Sequence, residues 1–180
     1  PLGEVKISRN VKSILIIVRM NTDVEIWDQN KKRLFEQPKI EYSYRSINSL
    51  ISSINFCQNK YPKLKIKTII VDDNSNNKNL DRIKKLIDGK NIDIISLNYD
   101  RYKSIIKEQK TNETFSNLAS LMNSFEIGKD QSEDLIFFIE DDYLHFEPML
   151  EEMVASYERI ASQLKKDLFM CPSDYPYLYM

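Results

Sequence analysis

The stretch of sequence that decides the fold is residues 66–75, which read IKTIIVDDNS. Residues 66–71 are rich in β-branched and apolar side chains, so they predict a strand buried on both faces of a sheet. This strand runs directly into Asp72 and Asp73, and the Asn and Ser that follow are typical of a turn. The sequence therefore predicts a central strand with carboxylates at its carboxyl end.

Three other segments have the same character, namely residues 13–18 (SILIIV), 92–97 and 135–139 (LIFFI). Between the strands, apolar residues recur at helical spacing, and Pro148 and Gly89 stand where a helix is expected to begin and end. The alternation predicts an α/β fold, with a mostly parallel sheet flanked by helices. Residues 168–171 are expected to begin a fifth strand.

Composition excludes several classes of function. Of 180 residues, 42% are apolar and 29% charged, which is typical of one soluble globular domain. The 26 basic and 27 acidic residues give a net charge of −1, which argues against a general nucleic-acid or membrane-surface binder. No apolar run approaches the roughly 20 residues of a membrane span. Since no signal peptide is present, we expect a cytoplasmic protein, with peripheral attachment to the inner membrane as an alternative.

Two acidic clusters follow predicted buried strands: Asp72-Asp73 and Glu140-Asp141-Asp142. The carboxyl ends of parallel strands meet at one edge of a sheet, where α/β proteins bind ligands. Adjacent carboxylates repel one another unless a cation neutralises them, and Mg²⁺ or Mn²⁺ prefers such oxygen ligands. Each cluster alone is also compatible with a helix cap or a solvated turn. The occurrence of both in one chain favours a ligand site.

The two motifs together resemble those of family-two glycosyltransferases with a GT-A fold. Residues 69–75 (IIVDDNS) look like the nucleotide-binding segment, and residues 138–142 (FIEDD) look like the DxD-type metal motif. Residues 14–21 and 46–58 are similar to the first strand and first helix of the family, so the resemblance covers roughly residues 12–176. It implies a Rossmann-like GT-A fold and an enzyme that transfers a sugar from a nucleotide diphosphate, with inversion.

The resemblance also implies a role for each acid. Asp73 would hydrogen-bond the nucleobase, with Asp72 nearby, and Asp141 would hold the ribose or the donor sugar. Asp142 would bind a Mn²⁺ or Mg²⁺ ion that carries the diphosphate, with Glu140 as a second candidate ligand. A metal in this place would neutralise the charge that grows on the diphosphate leaving group.

Further residues are candidates for the same site. Arg19, predicted just past the first strand, would contact the base or a phosphate, or else be a surface arginine. Asn117 and Asn123 lie in the helix before the metal motif and are expected to face the nucleotide. His145 is expected to be a turn histidine bonded to the backbone, with a metal or acceptor contact as the alternative. It is the only histidine, which excludes a multi-histidine metal site.

The chain departs from the family pattern in three places. The first strand lacks the usual proline and aromatic residue before Asn21, and the polar insertion over residues 21–41 is long for a loop. The acceptor-binding half is expected to be missing or shortened, which would place the general base beyond Met180. We therefore expect one GT-A-like nucleotide-sugar-binding domain over residues 4–180, with residues 1–3 (PLG) as the remnant of an expression tag.

The expected partners are a UDP- or GDP-type nucleotide-sugar donor and an acceptor hydroxyl on a glycan, a lipid-linked intermediate or a protein. Two other functions stay open. One is a non-catalytic binding or scaffolding module built on a glycosyltransferase fold. The other is a sugar nucleotidyltransferase, which needs a glycine-rich basic loop after the first strand, where this chain has no glycine.

Overall fold

The computed structural model of the chain describes residues 4–23, 36–107 and 111–171. Four strands alternate with helices in these residues. In chain order the elements are β1 (Ser13–Met20), α1 (Lys39–Lys60), β2 (Lys65–Asp72), α2 (Asn77–Ile87), β3 (Ile92–Ser96), a short 3₁₀ helix (Tyr99–Arg101), α3 (Asn112–Gln131), β4 (Leu135–Glu140) and α4 (Met149–Leu164). The predicted α/β fold, a parallel sheet flanked by helices, is confirmed.

The strands form one parallel sheet in the order β3-β2-β1-β4. β1 therefore lies between the two strands that carry the acidic clusters. The register pairs Met20 of β1 with Asp72 of β2, and Arg19 of β1 with Glu140 of β4. Because all the described strands run in one direction, both clusters lie at the same edge of the sheet, as the sequence predicts.

Helices cover both faces of the sheet. Side chains alternate along each strand, so Ile16 of β1 and Ile70 of β2 face a core shared with α1, α2 and α4. On the other face, Ile17 and Ile69 pack with Ile127 of α3. This burial on both faces explains why the strands are nearly continuous runs of apolar residues.

Local sequence signals fix several helix ends. The Asn76 side chain accepts a hydrogen bond from the Asn79 backbone N–H and caps α2, and Thr111 caps α3 in the same way through the backbone N–H of Thr114. Gly89, just past the end of α2, has a φ of 70°, which glycine adopts without steric cost. The residue that caps α2 is therefore Asn76, and neither Asp72 nor Asp73 serves as its cap.

Two boundaries differ from the sequence predictions. α1 begins at Lys39, so the polar insertion predicted over residues 21–41 is shorter; its residues 24–35 lie outside the described part of the chain. Arg19 lies within β1, and not after it, because its backbone pairs with both neighbouring strands.

The predicted fifth strand is wrong, because residues 168–171 form no strand. Asp167, just before this segment, accepts hydrogen bonds from Arg9 and from Tyr157 of α4. The tag remnant predicted at residues 1–3, and the part of the predicted domain over residues 172–180, lie outside the described residues.

Candidate functional site

The acidic clusters flank the carboxyl end of β1. β2 and β4 each lie one strand spacing of about 4.8 Å from β1, which puts the two clusters roughly 10 Å apart across the sheet. A ligand that contacts both clusters therefore has to cross the end of β1, at Met20 and Asn21. This distance is within the length of a nucleotide sugar.

Asp72 is the last residue of β2 and is 1% exposed. Its Oδ2 accepts a hydrogen bond from the Ser75 backbone N–H, which closes the turn after the strand. Its Oδ1 is buried without a hydrogen-bond partner among the residues that the structure describes. Burial raises the pKa of Asp72, although the hydrogen bonds from Ser75 oppose this shift.

Asp73 points to the α3 side of the sheet, where protein donors already satisfy it. Its two carboxylate oxygens accept hydrogen bonds from the Tyr99 and Ser116 hydroxyls, and only 8% of the residue is exposed. Tyr99 also packs against Phe115, with ring centroids 5.9 Å apart. A nucleobase that binds Asp73 would have to replace one of these hydroxyls or bind the carboxylate beside them.

Arg19 and Glu140 form an ion pair on the same side of the sheet. The Arg19 guanidinium Nη2 lies 2.6 Å from Glu140 Oε1, and the Arg19 side chain is 18% exposed. The register places these two residues directly opposite one another on β1 and β4. Glu140 therefore neutralises Arg19, which limits the part that either side chain can play toward a ligand.

Asp141 points to the α1 side, because successive residues alternate across the sheet. One carboxylate oxygen accepts a 2.5 Å hydrogen bond from the Ser43 hydroxyl, and the other lies 2.8 Å from Lys39 Nζ. Lys39 Nζ also lies 3.6 Å from Asp142 Oδ2. Burial raises the pKa of Asp141, which Lys39 and Ser43 oppose. Asp142 remains accessible, with 52% of its side chain exposed.

Of the carboxylates at this edge, Asp141 and Asp142 are the pair that could hold a divalent cation. Among residues 4–23, 36–107 and 111–171, no three acidic, histidine or cysteine side chains are grouped so as to hold a metal. Glu140 therefore does not join Asp141 and Asp142. Mg²⁺ commonly takes one or two carboxylates and completes its shell with water and phosphate oxygens. Asp142 and Asp141 are the two carboxylates that could hold such an ion, and the Lys39 ammonium lies close to both of them.

The loops that follow β1 and β2 are joined by hydrogen bonds. The Thr22 backbone N–H donates to Ser75 Oγ, and the Asn76 backbone N–H donates to Asp23. Asn79 donates to both Thr22 and Asp23 through its side-chain amide. These hydrogen bonds hold the loop after β1 against the loop after β2, beside Asp72 and Asp73.

The remaining candidates occupy different environments. Asn117 lies on an exposed part of α3, whereas Asn123 donates to the Tyr102 hydroxyl and serves the packing of α3. His145 is held through its backbone N–H, which donates to Ser49 Oγ. Burial lowers the pKa of His145 to about 4, so the ring is neutral at pH 7. The ring Nε2 is buried without a hydrogen-bond partner among the described residues, so the expected bond from the histidine to the backbone is not found there.

Sequence reasoning missed four residues that contact the acids: Lys39, Ser43, Tyr99 and Ser116. None of these four residues belongs to a motif, and each is distant in sequence from the carboxylate that it contacts. The aromatic Tyr99 just after β3 is a usable signal, because the carboxyl edge of the sheet also includes the end of that strand.

No helix in the described part of the chain combines the length and apolarity that crossing a bilayer requires.

Comparisons with known protein families and with curated proteins find no match. Among solved structures, the chain is similar to the crystal structure of S. aureus TarS 1–349, a glycosyltransferase, with 14% identity and a TM-score of 0.42. The match covers 81% of this chain and 32% of that chain. At this level the likeness is one of coarse α/β architecture.

Proposed function

We propose that the carboxyl edge of the sheet binds a nucleotide-diphosphate sugar, and that the chain is the donor-binding part of an inverting glycosyltransferase. The observation that carries this proposal is the placement of the acids on β2 and β4, the two strands that flank β1 in a parallel sheet. The donor would lie across the end of β1, with its base toward Asp73 and its diphosphate toward Asp142.

Charge supports a divalent cation as part of the donor. The edge carries five carboxyl groups, from residues 72, 73, 140, 141 and 142, whereas the cationic side chains that pair with them in the described residues are Arg19 and Lys39. A diphosphate would be repelled by this excess of negative charge. Mn²⁺ or Mg²⁺ bound by Asp142 and Asp141 would supply the missing charge and act as a Lewis acid toward the leaving diphosphate.

The residues of the chain would bind and orient the donor. Asp73 would exchange the Tyr99 or Ser116 hydroxyl for a donor group of the base, since a carboxylate accepts several hydrogen bonds. Asp141, fixed by Ser43, would serve as a ligand of the cation beside the exposed Asp142, in place of the contact with the ribose or the sugar that the resemblance implies. An acceptor hydroxyl, on a glycan, a lipid-linked intermediate or a protein, would then attack the anomeric carbon.

The test is binding of UDP- and GDP-sugars, measured by isothermal titration with Mn²⁺ and again with EDTA. We expect binding with Mn²⁺, and Asp142→Ala is expected to weaken it by about tenfold or more, because it removes a ligand of the cation. Asp88→Ala is the matched control, since Asp88 is exposed and lies between α2 and β3, at the opposite edge of the sheet.

Two results would contradict the proposal. One is the absence of binding by any nucleotide sugar, with or without Mn²⁺. The other is equal weakening by Asp142→Ala and Asp88→Ala, which would indicate a general effect of charge and not a site at the carboxyl edge.

A second candidate, a non-catalytic binding or scaffolding module, is favoured by one observation. Asp73 and Asp141 are both buried and already bonded to protein groups, as expected of carboxylates that only hold the fold together. Such a module binds neither Mn²⁺ nor nucleotide, so the same titrations separate the two functions.

A further inference from the structure

Lys39 is the first residue of α1, and its ammonium lies between two carboxylates of the acidic cluster on β4. Its Nζ is 2.8 Å from Asp141 Oδ1 and 3.6 Å from Asp142 Oδ2. The Lys39 side chain is 10% exposed, so this is a largely buried contact and not a loose surface pair. The position is unfavourable for a lysine in one respect, because the first turn of a helix carries partial positive charge.

We propose that Lys39 is an internal counter-ion that a divalent cation has to displace in order to bind Asp141 and Asp142. This inference rests on the metal site of the proposed function. It adds a residue that determines when the site accepts metal. The carboxylates hold the ammonium while no metal is bound, and the freed ammonium becomes available to a phosphate of the donor.

Electrostatics favours an exchange over joint occupancy. Lys39 already lies close to both carboxylates that would bind the metal, so an ammonium and a divalent cation on the same pair would repel one another at short distance. Lysine has a flexible four-carbon stem and can move its charge, which a fixed backbone group cannot do. Once a metal neutralises the pair, the two carboxylates no longer hold the ammonium in place.

The first experiment measures the affinity of Mn²⁺ alone, by titration calorimetry, for the wild type, Lys39→Met and Lys39→Arg. If the displaced form is populated at about 1–10%, removal of the competing charge tightens Mn²⁺ binding by about 10- to 100-fold. Lys39→Arg, which keeps the charge, is expected to bind Mn²⁺ no more tightly than the wild type. Arg82→Met removes a cation that pairs with Glu41 near the same helix end, and it is expected to leave the affinity unchanged.

The second experiment uses the unaltered protein, so that it does not depend on the folding of a variant. Acetylation of lysines by an activated ester is followed by mass spectrometry, with and without Mn²⁺. We expect Lys39 to be protected without the metal and modified with it. Lys60, whose side chain is 61% exposed and pairs with Glu151, serves as the internal control and is expected to react equally in both.

Unchanged or weaker Mn²⁺ binding by Lys39→Met, together with Lys39 labelling that Mn²⁺ does not alter, would overturn the inference. Failure of every variant to bind Mn²⁺ would overturn it too. Because neither experiment contains nucleotide, these outcomes are independent of whether the donor binds, which the titrations of nucleotide sugars with Mn²⁺ and with EDTA measure separately.

Discussion

Asp72 is a buried carboxyl group whose Oδ1 has no hydrogen-bond partner in the described part of the chain. A buried ionised group without full compensation costs stability, and this cost is the reason that its pKa is raised above the ordinary 3.8. The folded protein therefore binds a proton at Asp72 more strongly than the unfolded chain does. The contribution of Asp72 to the free energy of unfolding therefore falls as the pH rises from its pKa in the unfolded chain to its higher pKa in the folded protein.

We therefore expect Asp72→Asn to be more stable than the wild type at pH 7. The amide keeps the acceptor for the Ser75 N–H and removes the buried charge, so an increase in melting temperature of about 2–4 °C is expected, the shift that roughly 1 kcal/mol produces in a domain of this size. The measurement is thermal unfolding at pH 7 and at a pH below 3.8, where the advantage of the variant should vanish. A variant that is less stable at pH 7 would show that the carboxylate is compensated.

At the scale of elements, the packing of α3 depends on a close approach at Gly128. A Cβ added there would lie 3.1 Å from Ile136 Cδ1, 3.3 Å from Phe138 Cζ and 3.5 Å from Ile17 Cδ1. Ile136 and Phe138 belong to β4, so Gly128 is where α3 meets the strand that precedes Asp141 and Asp142. A larger side chain would push α3 away from this strand.

Gly128→Val is expected to destabilise the protein by about 1–3 kcal/mol, the usual cost of extra atoms in a packed interface. Gly128→Ala should change stability by less, because the better helix propensity of alanine, worth about 1 kcal/mol, offsets the tight contacts. Urea unfolding measures both. Lys129→Val, exposed on the same helix, controls for the propensity of valine, and an equal loss in the two valine variants would refute the packing explanation.

At the scale of the whole molecule, one core joins the sheet to α1, α2 and α4. Leu50 of α1 is fully buried in this core, whereas Phe56 of the same helix is 38% exposed. Leu50→Ala is expected to cost about 2–5 kcal/mol through lost transfer energy and the cavity that remains. Phe56→Ala should cost clearly less.

Urea unfolding followed by far-ultraviolet circular dichroism and by tyrosine near-ultraviolet signals tests this core as one unit. Both probes should report the same lowered midpoint in Leu50→Ala, because the sheet and its helices share the buried side chains. Two separate transitions would mean that part of the molecule unfolds on its own.

The sequence by itself determined the α/β class, the order of the four strands along the chain and the strand ends at which the acids lie. The physical reason is local: short runs of apolar, β-branched residues bounded by turn residues, such as the run before Asp72, are typical of strands covered on both faces. Parallel strands then place their carboxyl ends at one edge, so the shared edge also followed from the sequence. The end of β1 and the fifth strand did not follow, because strand pairing depends on neighbours that are distant in sequence.

Only the tertiary structure decided what each carboxylate faces. Asp73 points to α3 and Asp141 to α1, a consequence of side-chain alternation combined with the packing of particular helices on each face. Ser43 and Asp141 are 98 positions apart in the chain, so no local pattern could pair them. The same holds for Lys39, whose ammonium reaches Asp141 and Asp142 because α1 begins beside the end of β4. The position of the acids at the carboxyl edge thus follows from the sequence, whereas the groups that each acid contacts there depend on the tertiary fold.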